Sequence, residues 1–374
     1  MTSRGKLWLS SFLFGFAIGA VLFYVAFSPQ GESLKTEPQH KTPPYQVEAL
    51  KETALKDSKF KEFTQIAHQM GTKVTIKAHA SSRTDVEAAF RAAFDRIYEI
   101  ECMMSVYRPD SHLAKINAAA KARSYQVPQE LGMVIAKSLE FCRLSKGALD
   151  ITITPVLDVY KSSSAAKRTP SDNEIQQALD KVGYQKISVS NDYASVTIAD
   201  DGMALDLGAT AKGYAADEAA KVLLAKDIKH ACVETGGDIR VTGPRGDGNP
   251  WRIGIQDPAG KESETVAILL ISKGAVCTSG NYARGYWLGK SKISHIMDPR
   301  TGKPCDQNPS VTVVAEEAFW ADALATALSV LGKDGLKIIE HEKMEGVEAM
   351  LLSIVKDTLE EHRSSGFEKL LEGT

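Results

Sequence analysis

The sequence predicts an α+β fold with largely antiparallel sheets and packed helices, on three observations. Strand-like runs follow one another across hairpin-sized gaps, helical stretches come in blocks, and no unit of roughly 20 to 50 residues repeats. A regular strand-helix alternation would have signalled a parallel sheet instead. The 374 residues are 43% apolar and 25% charged, the proportions of a globular protein with a sizeable core. With 45 basic against 47 acidic side chains and a formal charge of -2, no positive surplus exists to neutralise a phosphate backbone. Dedicated nucleic-acid binding is excluded on that ground.

Taken in order, residues 1–6 carry Arg4 and Lys6, and Leu7 to Phe27 is a run of 21 residues without a charge. At about 1.5 Å per residue such a helix crosses a hydrocarbon core of roughly 30 Å. The preceding positive charges leave the amino terminus in the cytoplasm and the body outside. A cleaved signal peptide is the competing reading, and the length of the run favours a retained anchor. Residues 28–59 are polar and begin with four prolines by Pro44, the composition of a tether. The catalytic body is then residues 60–374.

Within the body, Met70 to Ala80 alternates as a strand does. Thr84 with Glu87 spells a capping box, and Val86, Phe90, Phe94, Ile97 and Met104 form the apolar stripe of a helix. A second helix spans Gln129 to Ser145, and a third spans Asn173 to Val182 behind Ser171 and Glu174. Strands are expected at Lys186 to Ser190, Ser195 to Ile198 and Met203 to Leu207, then an alanine-rich helix at Ala211 to Leu224. Further strands are expected at His230 to Glu234, Trp251 to Ile255, Thr265 to Ile271, Lys292 to Met297 and Ser310 to Ala315. A helix at Ala321 to Leu331 follows. The five cysteines never stand two residues apart, which disfavours zinc and iron-sulfur sites and leaves buried thiols as the plain reading.

Four segments carry more glycine, hydroxyl and acid than packing requires. Ala204 to Leu223 turns from a strand into a helix start whose backbone N–H groups suit a phosphate, although it matches neither a Walker A loop nor G-x-G-x-x-G. A helix entered through a tight turn explains it as well. Val233 to Gly243 interrupts a strand with Gly236 and Gly237, which allows a ligand close to the backbone or merely makes a turn. Cys277 to Pro304 places His295 three residues before a D-P-x-T-G turn, as a proton acceptor near neutral pH or a structural histidine. In Trp320 to Gly332, Asp322 and Thr326 lie four apart, so their oxygens share one helix face within reach of a small hard cation. The helix dipole alone would also favour a carboxylate at Asp322.

In this order and combination the segments resemble the ApbE family, the FAD:protein FMN transferases. The resemblance runs from about Phe60 to the carboxyl end and includes Met70-Gly71-Thr72, the stretch from Met104 to Asn117, and Gly147 to Leu157. It implies a two-lobed single catalytic domain of T-fold-like kind, behind the membrane helix. The implied activity splits FAD at its pyrophosphate, moves FMN onto a threonine or serine hydroxyl of a partner protein, and releases AMP, with Mg2+ required. By position, Met104, Ala148, Leu149, Asp150, Asp206, Lys212 and Ile296 resemble the flavin-nucleotide contacts, and His295 the base. Ala209 and Ala325 through their carbonyls, with Asp322 and Thr326, resemble the magnesium ligands. Cys277 stands where the family often has Thr or Ser, and the acylated cysteine of many members is absent.

No acceptor signature occurs in this chain, so the resemblance implies a partner modified in trans. A flavin-bearing subunit of a redox pump such as sodium-translocating NADH:quinone reductase suits an extracytoplasmic membrane address. The expected location is the bacterial inner membrane, single-pass, with the catalytic domain in the periplasm. Two other functions compete: a Mg-dependent FAD pyrophosphatase giving free FMN and AMP, and a membrane-tethered flavin-binding protein without catalysis.

Overall fold

The structure, a computed structural model, describes residues 44–373 other than 57, 262–263, 281–284, 290, 342–343 and 357. The expected membrane helix at residues 7–27 lies outside the described residues. Among those described, no helix is long and apolar enough to cross a membrane.

In chain order the first elements are β1 (Gln46–Val47), β2 (Lys51–Ala54), β3 (Lys61–Gln69), β4 (Thr72–Ala80), α1 (Arg83–Met104), α2 (His112–Ala119), β5 (Arg123–Gln126), α3 (Gln129–Leu144), α4 (Thr154–Ala165) and α5 (Asp172–Leu179). Next come β6 (Ile187–Val189), β7 (Ser195–Ile198), α6 (Ala211–Ala225), β8 (Ala231–Thr235), β9 (Asp238–Val241), β10 (Trp251–Gln256), β11 (Thr265–Ile271) and β12 (Gly274–Gly280). The chain continues through β13 (Gly285–Leu288), β14 (Ser291–Ser294), β15 (Met297–Asp298), β16 (Lys303–Pro304), β17 (Ser310–Ala315), α7 (Ala318–Leu331), α8 (Leu336–His341), β18 (Glu348–Val355) and β19 (Thr358–Arg363).

The main sheet runs β1-β3-β4-β8-β9-β12-β17-β18-β19, with β2 also on β3, and every pairing in it is antiparallel. Its central strands are apolar on both faces. Val311, Val313 and Ala315 of β17 and Ala349 and Leu351 of β18 join the core under α1, α6 and α7. The alternate residues Val314, Met350 and Leu352 join a second core with Trp251, Ile253 and Leu269 of the β10–β11 ribbon. A third, smaller core around Val156, Tyr160, Ala178 and Met297 lies under α4 and α5, with Tyr286 and Leu288 packed on it.

The α+β architecture with antiparallel sheets agrees with the expectation, and several details differ. Strands β1 and β2 pair with β3, so the sheet draws in residues that composition assigned to a tether. Helix α1 is capped by Ser82, whose Oγ accepts from the Asp85 N–H, and Glu87 pairs with Arg83 rather than closing a box on Thr84. Around α5 the expected box does form between Ser171 and Glu174.

Met203 to Leu207 forms no strand and belongs to no sheet. The Asn117 side chain takes both the N–H and the carbonyl of Leu205, at 2.8 and 2.7 Å, in place of a neighbouring strand. The expected strand from Lys292 to Met297 is broken in two at His295 and Ile296. There the Ile296 N–H donates to Ser294 Oγ at 3.0 Å and the Ser294 N–H to Asp306 Oδ1 at 2.7 Å, so side chains replace ladder bonds.

Candidate functional site

The site begins at the entry to α6. After Leu205 the chain bends through Gly208 and Ala209, and the Asp206 carboxylate accepts from the Gly208 N–H at 2.6 Å, which tightens the bend. Burial pushes the Asp206 carboxyl up, and the nearby Lys212 charge opposes that. The helix start offers less to a phosphate than its sequence suggests. The Ala211 N–H is spent on the Leu207 carbonyl at 2.7 Å and the Gly213 N–H on Asp322 Oδ2 at 3.1 Å, so two of the first donors are used inside the protein.

Helix α7 comes close because α6 carries glycine and alanine where the two touch. A Cβ on Gly213 would stand 2.2 Å from the Ala318 carbonyl oxygen. Asp217, buried in α6, accepts from the Ala318 and Phe319 N–H groups at 2.9 Å each and so caps α7 from the neighbouring helix. Arg240 pairs with the same carboxylate at 3.0 Å. Burial still lifts the Asp217 carboxyl to about 6.

One turn further along α7, the Asp322 carboxylate, 2% exposed, meets Lys212 Nζ at 3.2 Å through each oxygen. The ammonium also lies 3.3 Å from the Gly208 carbonyl and 2.7 Å from Asp238 Oδ2, and Asp238 is likewise 2% exposed. Burial works against the Lys212 charge, but the two carboxylates outweigh it and hold the amine firmly protonated. Asp238 is pushed up, first by burial and then by the Asp322 charge. With both acids ionised the cluster carries one net negative charge. On the next turn Thr326 Oγ1 lies 3.3 Å from Ser279 Oγ of β12, and Ala325 is buried beside Asp322.

The expected metal set Ala209, Asp322, Ala325 and Thr326 therefore stands on two elements that touch, and the expected nucleotide contacts Asp206 and Lys212 share that place. Asp150 lies alongside. The Asp206 N–H donates to the Ile151 carbonyl at 2.7 Å, joining the Ala148-Leu149-Asp150 loop to the bend. The Asp150 carboxylate is itself spent on structure, accepting from Thr152 N–H and Oγ1 at 2.8 and 2.7 Å and from the Tyr184 N–H at 2.9 Å. Ala148, Leu149 and Met104 are buried. His295 and Ile296 are placed by other contacts: the break after β14, and the Cys305 N–H on the Ile296 carbonyl at 2.9 Å.

The donor set tests what ion the cluster suits. Among the described residues no three His, Cys, Asp or Glu side chains converge as a metal-ligand group. What meets at Lys212 is the Asp322 and Asp238 carboxylates and the Gly208 carbonyl, hard oxygens that suit Mg2+ rather than zinc, whereas the Ala325 carbonyl already accepts from Ser329 Oγ at 2.8 Å. All five cysteines are free, and burial raises the Cys277 thiol, whose Sγ lies 3.4 Å from the Ala318 carbonyl.

Sequence reasoning missed Asp238, Ser279, Tyr107 and Asp217. Asp238 follows Gly236 and Gly237, whose φ values of 65° and 98° make the two-residue turn between β8 and β9. An acid directly after such a turn, heading a buried strand, was the available signal. Tyr107 is 82% exposed just past Met104. Burial pushes the Tyr286 hydroxyl up to about 12, and the negative charges of Asp206 and Asp158 add to that. A cleft of about 390 Å3, lined by Asn117, Asp158, Lys181 and Ala204 among others, runs beside the Asp206 segment.

The family model described as ApbE family matches residues 70–351. A protein named FAD:protein FMN transferase from Escherichia coli (strain K12) is 31% identical over 274 residues, 72% of this chain and 78% of its own. One of the same name from Vibrio cholerae is 30% identical over 309 residues, 81% of this chain and 90% of its own. Among solved structures, the ApbE protein from Thermotoga maritima superposes with a TM-score of 0.74 at 30% identity, covering 83% of this chain and 99% of its own. The apo form of the Pseudomonas stutzeri flavinyl transferase ApbE gives 0.72 at 26%, over 86% and 100%.

Proposed function

The chain belongs to the ApbE family, and from that premise we propose how the cluster of α6, α7 and β9 serves flavin transfer to protein. The chain is a transferase that uses FAD as substrate and moves its FMN half onto an acceptor protein. In the proposed chemistry a threonine or serine hydroxyl of the acceptor attacks the FMN-side phosphorus, a new P–O bond forms, the P–O bond to the AMP phosphate breaks, and AMP leaves. Asp322 and Thr326, with the carbonyls of Ala209 and Ala325, would hold Mg2+. When bound, the ion neutralises charge on the diphosphate and aligns it for in-line displacement.

The chain's own residues do the rest. Lys212 presents a positive charge at the same bend, Asp206 shapes that bend, and the Ala148-Leu149-Asp150 loop, joined to it by the Asp206 N–H on the Ile151 carbonyl, walls the nucleotide's side of it. Met104 would pack beneath the flavin end, while both backbone groups of Ile296 are already engaged, its N–H by Ser294 Oγ and its carbonyl by the Cys305 N–H, so Ile296 would contact the nucleotide only through its carbonyl's second lone pair or its side chain. His295 takes the proton from the attacking hydroxyl. The observation that carries this reading is Asp322: one carboxylate grips both the Gly213 N–H and Lys212, which gathers the late helix and the early bend into one pocket of hard oxygens.

The test is Asp322→Ala in the full-length chain with FAD, Mg2+ and an acceptor. Flavin transfer is expected to fall by about a hundredfold or more while the circular-dichroism spectrum keeps its native form. Wild-type turnover by this variant contradicts the metal assignment. The proposal extends to address and partner: the uncharged run of residues 7–27 supports a single-pass anchor in the bacterial inner membrane, with the body in the periplasm. There a flavin-bearing subunit of a redox pump, such as sodium-translocating NADH:quinone reductase, is the acceptor that fits.

A further inference from the structure

We propose that Lys212 is a built-in counter-ion that trades places with the divalent ion on Asp322, and that Asp238 is the positioning residue which keeps Lys212 when the trade occurs. The inference rests on the divalent-ion reading above and concerns two side chains of this protein. Lys212 Nζ is ringed by oxygens, with Asp238 Oδ2 at 2.7 Å, both oxygens of Asp322 at 3.2 Å and the Gly208 carbonyl at 3.3 Å. That is a cation's environment, and a lysine ammonium is a compact point charge on a flexible stem. Two positive charges on one buried carboxylate repel strongly in a medium of low dielectric, so an ion arriving at Asp322 must push the ammonium off.

The closer ion pair, to a carboxylate oxygen that makes no hydrogen bond of its own, points to where it would go. Asp238 heads β9 behind the glycine turn and holds the ammonium more closely than Asp322 does. The Lys212 main chain stays fixed meanwhile, because Thr235 Oγ1 donates to its carbonyl at 3.0 Å, so only the side chain need swing. Metal affinity is then set by how firmly Asp238 retains Lys212, and the displaced ammonium remains beside the bend, available to a diphosphate.

The test measures Mn2+ binding to the full-length chain without FAD, by the EPR signal of free Mn2+, in wild type, K212Q, D238N and the double variant. K212Q should bind about tenfold tighter, since the competing cation is gone. D238N should bind about tenfold weaker, because the ammonium falls back onto Asp322. The double variant should regain what D238N lost. A purely structural role for these residues cannot tighten binding when a charge partner is deleted. K212Q no tighter than wild type overturns the inference alone, and so does a double variant as weak as D238N, which would make Asp238 a direct ligand. A wild type that binds no Mn2+ overturns the metal reading with it. If K212Q does not fold in metal-free buffer, millimolar Mg2+ should restore folding by replacing the lost positive charge, and failure to do so counts against the inference.

Discussion

That Asp322 and Thr326 share one face of α7 was legible because the relation is local: four residues on one helix fix it whatever the rest of the chain does. His295 is the residue to which the proposed chemistry assigns the proton transfer. His295→Ala should retain FAD, read by flavin fluorescence quenching, and transfer FMN about a hundredfold more slowly. Loss of FAD binding would move it to the binding shell instead. Asp217 makes a pH prediction. Its carboxyl is lifted to about 6 in the fold, above its value in the unfolded chain, so the native state binds the extra proton between roughly pH 4 and 6. Its contribution is present below pH 4 and is lost as pH rises through 6. Relative to D217N, wild-type unfolding free energy should therefore drop by on the order of 2–3 kcal/mol across that window, measured by urea denaturation at each pH. A difference independent of pH would mean that Asp217 stays ionised throughout. Asp238 was not legible as a site residue, since what makes it one is a lysine 26 positions earlier and a helix 84 positions later.

At the scale of elements, helices with clear period, such as α1, α3, α6 and α7, were readable from apolar stripes, whereas α4 was missed behind Pro155 and a run of serines. The long apolar strand β18 was missed for the opposite reason: buried on both faces, it has no alternation to read. Met203 to Leu207 read as a strand because its residues alternate, and only the tertiary position of Asn117 decides that a side chain pairs with it. The contact between α6 and α7 depends on Gly213. Gly213→Ala would put a Cβ against backbone atoms of Ala318 that no rotamer change can move aside, so the helices must part. A loss of about 1–3 kcal/mol in stability is expected, together with weaker Mn2+ binding, by thermal melting and EPR. Unchanged metal affinity in this variant would show that α6–α7 spacing does not set the site.

For the whole molecule, the α+β class with antiparallel sheets was legible from hairpin spacing, and strand order was not. The sheet places β8 and β9 between β4 and β12, and β17 between β12 and β18, through register and core packing that no local pattern encodes. That order carries Asp238 and Ser279 to the helices that hold Lys212 and Thr326. A divalent ion that bound there would stabilise the native state by mass action, about 2.7 kcal/mol at a hundred times its dissociation constant. Wild type should accordingly melt higher with Mg2+ than with EDTA, and Asp322→Ala should not.

The most direct measurement is the intact mass of a candidate acceptor after incubation with the full-length chain, FAD and Mg2+, with released AMP quantified in the same tube. Transfer through the Asp322 pocket predicts a gain equal to FMN less one water, matched mole for mole by AMP, and neither with Asp322→Ala. AMP released while the acceptor keeps its mass would contradict transfer and mark a hydrolase, and a full gain from Asp322→Ala would contradict the pocket itself.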